Sequence, residues 1–568
     1  MVLEVSPLRP AVLVAALLLT VMAAAVPTGS QAAAGRDQVV IGVGLDVDTL
    51  NPLFTVSPGA LVANAVLSTM FTADVPLSSA WRPVAQGVEY LPSLKDGTWR
   101  VEGGRMRLTW KIRRRFWHDG RPVGCGDYVF THALVRNPQV PVYSRPDPLI
   151  ASVECPDGAG GTTVVVNWAK THPYANREVI PFGPLPRHLL ADAYRQSPSR
   201  LPEASFGNEA AATIGDGPYR LVEWRKGHSI TVEAVPNHPI LGRPRIRRIV
   251  WRFNPDFNAL LAELLAGTVD VLPQSAFGAR VDAAIELERR AAGRVRVLYA
   301  PGLAWEHIDF NLDNPLLQDV RVRRALAHGI NRTQIVQQRF AGRLPVSHTY
   351  LPSPHAGFAD AVPKYPYDPA RARALLAQAG FAPGPDGVMR NPLGQRLSLE
   401  LNTTAGQTIR EQVALLIQQQ LRQIGVEIVI VNFPARVLFD NLLQRRQFKA
   451  LAYYAWIVRP TFDCNQLFTS DGIPGEANHW EGQNYPGFRN PEMDEACRGA
   501  ATELDEGKRN AWFRRSAVIF SRELPALPLY YGARVAAVRH GLENFSFGAS
   551  CFTCILDNTW NAHSWYWK

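Results

Sequence analysis

Apolar and polar residues alternate from Met106 to Arg113, which is the pattern of a strand with one buried face. The dipeptide Asp119-Gly120 then indicates a turn, and Pro122 excludes a continued helix or a central strand. Asp127 is placed to cap a short helix that begins at Tyr128. This part of the chain therefore predicts a strand, a turn and a helix in close succession.

A second pattern predicts a strand–helix–strand unit between residues 397 and 431. Leucines alternate with polar residues over 397–401, an apolar-faced helix follows over 411–424, and a strand returns over 426–431. Such a unit implies a parallel sheet with a right-handed crossover. In open α/β sheets ligands approach the carboxyl ends of strands, where this chain has Asn402, Thr403 and Thr404. A local role in capping the loop is the alternative for these three residues.

Composition is compatible with a large folded protein. The chain has 568 residues, of which 46% are hydrophobic, and at roughly 150 residues per domain it would form three or four domains. The net charge of +10 would suit an anionic partner such as nucleic acid or a membrane surface. However, the densest basic runs are only Arg113–Arg115 and Arg243–Arg248. Because nucleic-acid binding needs a clustered basic surface, no nucleic-acid partner is expected.

Residues 1–34 have the organisation of a signal peptide. Arg9 precedes an apolar run over 11–26, and Ala32-Ala33-Ala34 forms a plausible cleavage site before Gly35. A membrane anchor is the alternative, but the apolar run is shorter than the ~20 residues that a spanning helix needs. No cysteine precedes Cys125, so a lipid-modified cysteine is not expected. The sequence thus predicts an exported, soluble protein, most naturally periplasmic.

The cysteines of an exported chain favour disulfides, and their even number allows all of them to pair. Proximity along the chain suggests the pairs Cys125–Cys155, Cys464–Cys497 and Cys551–Cys554. The last pair could instead be redox-active or half of a zinc site, although no flanking βαβ pattern or second ligand pair supports either. No cluster with metal-ligand spacing is visible, so neither a metal site nor a cofactor is expected.

The segment FWHDGRPVGCGDYVF over 116–130 resembles the signature W-x-D-G-x-P-[VL]-x-x-x-D-[VY]-x-F of the family 5 extracellular solute-binding proteins. These proteins are the peptide, oligopeptide and nickel receptors of ABC importers. Further segments resemble the family's other motifs in the same order, namely 48–52, 184–190, 215–224, 263–270, 308–325 and 484–494. By the order and spacing of these motifs the chain is identified as a member of this family.

The resemblance implies an α/β protein with the periplasmic binding protein type 2 fold, two lobes around a hinge and an extra inserted domain. It assigns domain I to residues 35–78, 188–302 and 531–568, domain II, the insertion, to 79–187, and domain III to 303–530. Connections that cross between the lobes would act as a hinge, so that closure traps a ligand.

The expected ligand site lies between Leu451 and Tyr485, where aromatic and polar residues occur close together. Aromatic rings offer stacking surface and polar groups set orientation, which is the composition of a small-molecule site. The candidate residues are Tyr453, Tyr454, Trp456, Arg459, Asp463, Trp480 and Asn484. The family places a cleft tryptophan at Trp456, whereas Tyr453, Tyr454 and Trp480 could equally belong to the core or hinge.

One position departs from the family pattern. Many peptide receptors carry W-x-[AP]-D, in which the aspartate pairs with the free amino terminus of the peptide. In this chain the motif corresponds to residues 456–459, so Arg459 stands in place of the aspartate. An arginine repels an ammonium group but binds a carboxylate or phosphate. Asp463 lies four residues further on and could compensate. The departure favours a ligand with an acidic group, or a modified or non-peptide ligand.

These features predict a monomeric substrate-binding protein that captures oligopeptides or peptide-like solutes and delivers them to the membrane permease of an ABC importer. A secreted hydrolase is disfavoured because the chain lacks a Gly-x-Ser-x-Gly elbow and a His-Glu-x-x-His helix. The chain is therefore expected not to be an enzyme. A sensor, or a receptor for an oligosaccharide, metal chelate or haem, stays an alternative because a fold does not fix its ligand.

Overall fold

The computed structural model of the protein describes residues 36–55, 59–142, 149–278, 280–461, 464–548 and 558–568. These residues form a mixed α/β structure. The strands, in chain order, are β1 (Gln38–Val43), β2 (Trp99–Glu102), β3 (Arg105–Lys111), β4 (Ile150–Glu154), β5 (Thr163–Trp168), β6 (Tyr219–Arg225), β7 (Ser229–Ala234), β8 (Arg248–Phe253), β9 (Val271–Leu272), β10 (Val295–Phe310), β11 (Ala382–Pro383), β12 (Met389–Arg390), β13 (Ser398–Thr404), β14 (Glu427–Phe433), β15 (Leu451–Ile457), β16 (Ala526–Arg539), β17 (Leu542–Glu543) and β18 (Tyr566–Trp567).

Helices pack against the sheets and link successive strands. They are α1 (Ala60–Met70), α2 (Cys125–Arg136), α3 (Arg187–Gln196), α4 (Phe257–Ala266), α5 (Gln274–Phe277), α6 (Val281–Arg290), α7 (Pro315–Gln318), α8 (Val320–Gly329), α9 (Arg332–Phe340), α10 (Pro369–Gln378), α11 (Thr408–Arg422), α12 (Asn465–Phe468), α13 (Pro491–Thr502) and α14 (Glu506–Glu523). A π-helical segment spans Val437–Leu443.

Most strands belong to one large sheet in the order β14-β13-β15-β10-β16-β9-β1-β8-β7-β6. Its centre is antiparallel, because β10 pairs with both β15 and β16 in that sense. Parallel pairs flank the centre, β13 with β14 and β15 on one side and β1 with β8 and β9 on the other. A second, antiparallel sheet has the order β2-β3-β5-β4. The predicted α/β class is confirmed.

The alternation over 106–113 does form a strand, β3, in which Met106, Leu108 and Trp110 are buried. The helix after it begins at Cys125, three residues earlier than predicted from a cap at Asp127. The Asp127 carboxylate lies inside the first turn and accepts the backbone N–H of Gly124 at 3.0 Å. The helix therefore starts at the residue after Gly124, because Asp127 reaches back to that N–H instead of preceding the first turn.

The predicted strand–helix–strand unit is confirmed as β13, α11 and β14. The two strands are parallel, with Leu399 opposite Ile428. Leu399, Val413 and Ile417 are fully buried between the helix and the strands. The apolar spacing read from the sequence therefore packs the helix onto the sheet, as hydrophobic burial requires.

The two longest strands, β10 and β16, run side by side through the middle of the large sheet. Their pairing extends from Val295 opposite Arg539 to Asp309 opposite Ala526, with a register shift between Pro301 and Trp305. The domain boundaries predicted after residues 302 and 530 lie beside this irregularity. The division into three domains stays a prediction.

A buried cluster around Arg115 joins the four-stranded sheet to the rest of the fold. The Arg115 guanidinium donates to the carbonyl of Gly87 at 2.9 Å, to the Asp74 carboxylate at 2.9 Å and to the Asp216 carboxylate. Tyr128 donates to the other oxygen of Asp74 at 2.8 Å. A charged group so deeply buried is tolerated because its donors meet acceptors on several sides.

Two predicted disulfides, Cys125–Cys155 and Cys464–Cys497, are confirmed, with Cα atoms 5.6 and 5.2 Å apart. Cys551 and Cys554 lie outside the described residues. Among the helices that the structure describes, none combines the length and the apolar character needed to cross a membrane. The same residues contain no group of three or more His, Cys, Asp or Glu side chains arranged to hold a metal ion.

Candidate functional site

Strand β15 carries the predicted aromatic residues and opens to solvent only at its carboxyl end. Tyr453 and Tyr454 are completely buried, Trp456 is half-buried, and Ile457 is 57% exposed. Arg459, two residues beyond the strand, is also exposed. Solvent therefore reaches Trp456, Ile457 and Arg459 but not the two tyrosines.

Trp456 stands in an aromatic cluster on one face of the sheet. Its ring centroid lies 5.6 Å from that of Tyr454 and 5.9 Å from that of Tyr485. The antiparallel register places Trp456 opposite Trp305, and Tyr454 opposite His307, on the same face. The His307 ring stacks on Trp305 at 3.9 Å and meets Tyr454 edge-on at 4.5 Å. These contacts give the half-buried tryptophan a rigid support.

A hydrogen bond fixes the inner end of this cluster. The Tyr454 hydroxyl donates to the Asp309 carboxylate. Burial raises the pKa of Tyr454 well above its usual value, and the Asp309 charge raises it further. The phenol consequently stays protonated and remains a hydrogen-bond donor.

The opposite face of the same strands holds a polar cluster. Glu306 and Arg410 form a bidentate ion pair at 2.9–3.3 Å, with side chains 15% and 20% exposed. Arg410 also donates to the Thr404 hydroxyl at 3.0 Å. The Tyr453 hydroxyl shares a 2.7 Å hydrogen bond with Tyr530. This face is therefore ordered by its own internal contacts.

The remaining predicted residues have partners within the protein. Thr403 donates to the Tyr453 carbonyl at 2.8 Å, and the amide of the buried Asn402 donates to Glu400 at 3.0 Å. The Asn484 amide donates to the carbonyls of Thr469 and Phe488, so it orders its own loop.

Trp480 lies beside the aromatic cluster. Arg445 is positioned 4.7 Å above its ring, and Gln444 links the Trp480 carbonyl to the Tyr485 hydroxyl. Asp463 lies outside the described residues. The structure thus brings Tyr454, Trp456 and Trp480 to one neighbourhood and leaves Arg459 at its solvent side.

Sequence reasoning missed several residues of this neighbourhood, namely Trp305, Glu306, His307, Asp309, Arg410 and Tyr485. The sequence did contain a signal for some of these residues. Charged or polar residues recur within the apolar stretch of β10 over 304–310, and a buried strand rarely contains them without a partner. Their partners come from residues far away in sequence, so the pairing itself could not be read from the chain.

The comparisons with known proteins agree with this architecture. The family described as "Bacterial extracellular solute-binding proteins, family 5 Middle" matches residues 89–473. The oligopeptide-binding protein AppA of Bacillus subtilis is 26% identical over 469 residues, which are 80% of this chain and 80% of that protein. The chain belongs to the family 5 extracellular solute-binding proteins.

Solved structures extend the likeness to nearly the whole fold. The oligopeptide-binding protein of Thermus thermophilus in complex with a pentapeptide has a TM-score of 0.62 and 27% identity, covering 94% of this chain and 96% of its own. NikZ of Campylobacter jejuni in complex with Ni(L-His) has a TM-score of 0.62 and 21% identity, covering 94% and 99%. The predicted type 2 binding-protein fold is confirmed, and the protein is a solute-binding protein rather than an enzyme.

Proposed function

We propose that this protein captures peptides or peptide-like solutes beside Trp456 and delivers them to the membrane permease of an ABC importer. The observation that carries the proposal is similarity along most of the chain to an oligopeptide-binding protein of known family. The exposed carboxyl end of β15 supplies a matching site, with aromatic surface next to a charged group.

Three residues are proposed to contact the solute directly. The half-buried Trp456 ring, supported by Tyr485, offers a flat apolar surface to a side chain or backbone segment. Arg459 would bind an acidic group through its planar guanidinium. Asp463 would bind a cationic group, so that the two charges fix the direction of the solute.

The other predicted residues are proposed to hold these contacts in place. Tyr454 and Trp480 support the aromatic cluster, and Asn484 orders the loop that presents Tyr485. The residues proposed to support the strands through their own hydrogen bonds are Tyr453, Asn402, Thr403 and Thr404. Substituting them would change the shape of the site rather than remove a direct contact.

A second class of solute is favoured by one specific residue. Arg459 stands where many peptide receptors have the carboxylate that pairs with a free amino terminus. A solute without that amine, such as a modified peptide, an oligosaccharide, a metal chelate or haem, would not suffer repulsion from it. Acidic and amine-blocked solutes are therefore the first to test.

The proposal includes the setting in which the protein works. Residues 1–34 would direct export and be removed, and the mature chain would act as a soluble periplasmic monomer. Its partners would be one solute molecule and the permease, with no nucleic acid involved.

Native mass spectrometry of the mature protein, purified gently from the periplasm, tests the solute class. Denaturing release of any bound molecule, followed by accurate mass measurement, identifies what the protein captured. A co-purifying peptide supports peptide capture, and the state of its amino terminus shows whether a free amine is accepted. A non-peptide mass would overturn the peptide assignment while leaving the solute-binding role intact.

A further inference from the structure

A cavity beside the proposed site has no role in the function described so far. Its lining residues border about 550 Å³ of empty space, which includes open solvent. One wall comes from the turn at Trp81 and from the loop after β5 that carries Arg177, and the other comes from His355 and the start of α14 at Glu506. Pro460, which directly follows Arg459 in the chain, also lines it. The cavity is therefore adjacent to the segment proposed to bind the solute.

His355, a residue of the cavity wall, carries a buried hydrogen-bond donor. The residue is 95% buried, since only 5% is exposed. The ring nitrogen Nδ1 accepts the backbone N–H of Gly357 at 3.0 Å, and burial lowers the pKa of His355 to about 4. The neutral ring therefore carries its proton on Nε2, which has no partner among the described residues. An unsatisfied buried donor of this kind is destabilising, so a partner that accepts its hydrogen bond would be favoured.

The charges around the cavity favour an anion. Arg82, Arg177 and Arg509 line it, against the single carboxylate of Glu506. Arg509 is buried, donates to the carbonyls of Glu503 and Leu504, and lies 4.8 Å over the Tyr174 ring. The amino-terminal end of α14 adds the positive end of a helix dipole. Positive charge thus exceeds negative charge within a largely enclosed space.

Glu506 is the acidic partner of Arg177 at the cavity. Its carboxylate lies 3.5 Å from the Arg177 guanidinium, and its side chain is 48% exposed, whereas that of Arg177 is only 12% exposed. The half-exposed carboxylate is screened by solvent, which weakens the pair. A ligand carboxylate could therefore displace Glu506 from Arg177 at small cost. It would then pair with a guanidinium that is more deeply buried than the Glu506 side chain.

We propose that this cavity is a subsite for a carboxylate of the bound solute, so that the protein selects acidic peptides. Arg177 and the Nε2–H of His355 would hold the carboxylate. Trp81 and Tyr174 would enclose the apolar part of the same residue. The inference rests on the proposed function, because it assumes that a peptide lies along the segment from Trp456 to Pro460.

Two pools of synthetic pentapeptides with amidated carboxyl termini test the subsite. The pools have uncharged random flanks and differ only at the central residue, Glu in one and Gln in the other. Apparent dissociation constants are measured by calorimetry for the full mature chain. The wild type should bind the Glu pool about 10-fold more tightly, equivalent to about 1.4 kcal/mol.

Variants locate the source of this preference. Arg177→Gln should reduce the preference to below about 3-fold. Glu506→Gln should increase the preference because it frees Arg177. Arg515→Gln removes the same charge from α14 at a site paired with Glu495, away from the cavity, and should keep the wild-type preference. Arg82→Gln, at an exposed position, serves as a second cavity variant if Arg177→Gln does not fold.

The outcomes separate the two proposals. Equal binding of both pools would overturn the carboxylate subsite and leave peptide capture standing. A Glu preference that survives in Arg177→Gln, or in Arg82→Gln where Arg177→Gln does not fold, would also overturn it, because another cation would then be responsible. Binding of neither pool would overturn peptide capture and this subsite with it.

Discussion

At the scale of single residues, the charge of Arg459 leads to a prediction about which solutes the protein accepts. Arg459 is exposed just beyond the end of β15, close to the half-buried Trp456. A guanidinium there attracts acidic groups and repels the ammonium that a carboxylate at this position would bind. In the proposed site, this one departure from the family pattern would favour an acidic solute over one with a free amine.

Replacing Arg459 by Asp tests this expectation. The variant should bind acidic peptides more than about 10-fold more weakly, because an attraction becomes a repulsion. The affinity for matched neutral peptides should change little, and isothermal titration calorimetry measures both. Equal affinities of the wild type and the variant for acidic peptides would place Arg459 outside the site.

Glu178 gives a residue-scale prediction about stability. It lines a cavity of about 380 Å³ together with Asp74, and burial raises the pKa of its carboxyl to about 7. Because the unfolded chain releases this proton near its ordinary pKa of 4.5, the folded state binds more protons between pH 4.5 and 7. The contribution of Glu178 to the free energy of unfolding should therefore fall as the pH rises through this window and stay constant above it.

The variant Glu178→Gln removes this titration. Between pH 5 and pH 8 the wild type should lose about 1–3 kcal/mol of unfolding free energy relative to the variant. Urea unfolding at several pH values measures the difference, and Glu203→Gln, at an exposed carboxylate, should follow the wild type. Parallel pH profiles for wild type and Glu178→Gln would contradict a raised pKa.

At the scale of elements, β10 and β16 connect the two halves of the large sheet. On one side of the register shift β16 lies next to β9, and on the other side β10 pairs with β15, which leads to the candidate site. Gly302 and Gly532 meet at this crossing. A Cβ atom at Gly302 would lie 2.8 Å from the Gly532 carbonyl oxygen, closer than side chains pack. The close approach of the two strands therefore depends on glycine at position 302.

Gly302→Ala should lower the free energy of unfolding by about 1–3 kcal/mol, because the strands must separate to accept the methyl group. Gly532→Ala is the matched control, since its added Cβ would find its nearest neighbours at 3.4 and 3.5 Å. Urea denaturation of both variants measures the difference. Equal destabilisation by the two substitutions would show that the close contact at Gly302 does not account for the loss of stability.

At the scale of the whole molecule, the candidate site and the neighbouring cavity connect distant parts of the chain. The Arg177–Glu506 ion pair joins the loop after β5 to α14 across the cavity. Arg509 and Tyr174 make a second contact between the same two segments. These contacts involve residues of the predicted domains II and III, so a hinge motion at β10 and β16 would make or break them.

Small-angle X-ray scattering tests such a motion. Addition of the solute identified by mass spectrometry should lower the radius of gyration toward about 24 Å, the value for a compact chain of this size. The variant Arg459→Asp, if it does not bind, should show no change at the same solute concentration. If the radius of gyration of the saturated wild type did not change, the response to the solute would be a local rearrangement only.

The sequence by itself determined the family, the α/β class and several elements. The strand at 106–113 and the unit at 397–431 were readable because burial on one face imposes a fixed spacing of apolar residues. Two disulfides were readable from nearby cysteines. The start of α2 was misplaced, because the sequence does not show whether Asp127 precedes the first turn or reaches back within it.

Only the tertiary structure decided which side chains meet. Pairs such as Glu306–Arg410 and Tyr454–Asp309 join residues more than a hundred positions apart, and the exposed segment after β15 lies beside a cavity whose walls come from separate stretches of chain. Local propensity determines each strand and helix, because it depends on residues that are close to one another in sequence. The site depends on strand order and long-range packing, which no local pattern encodes.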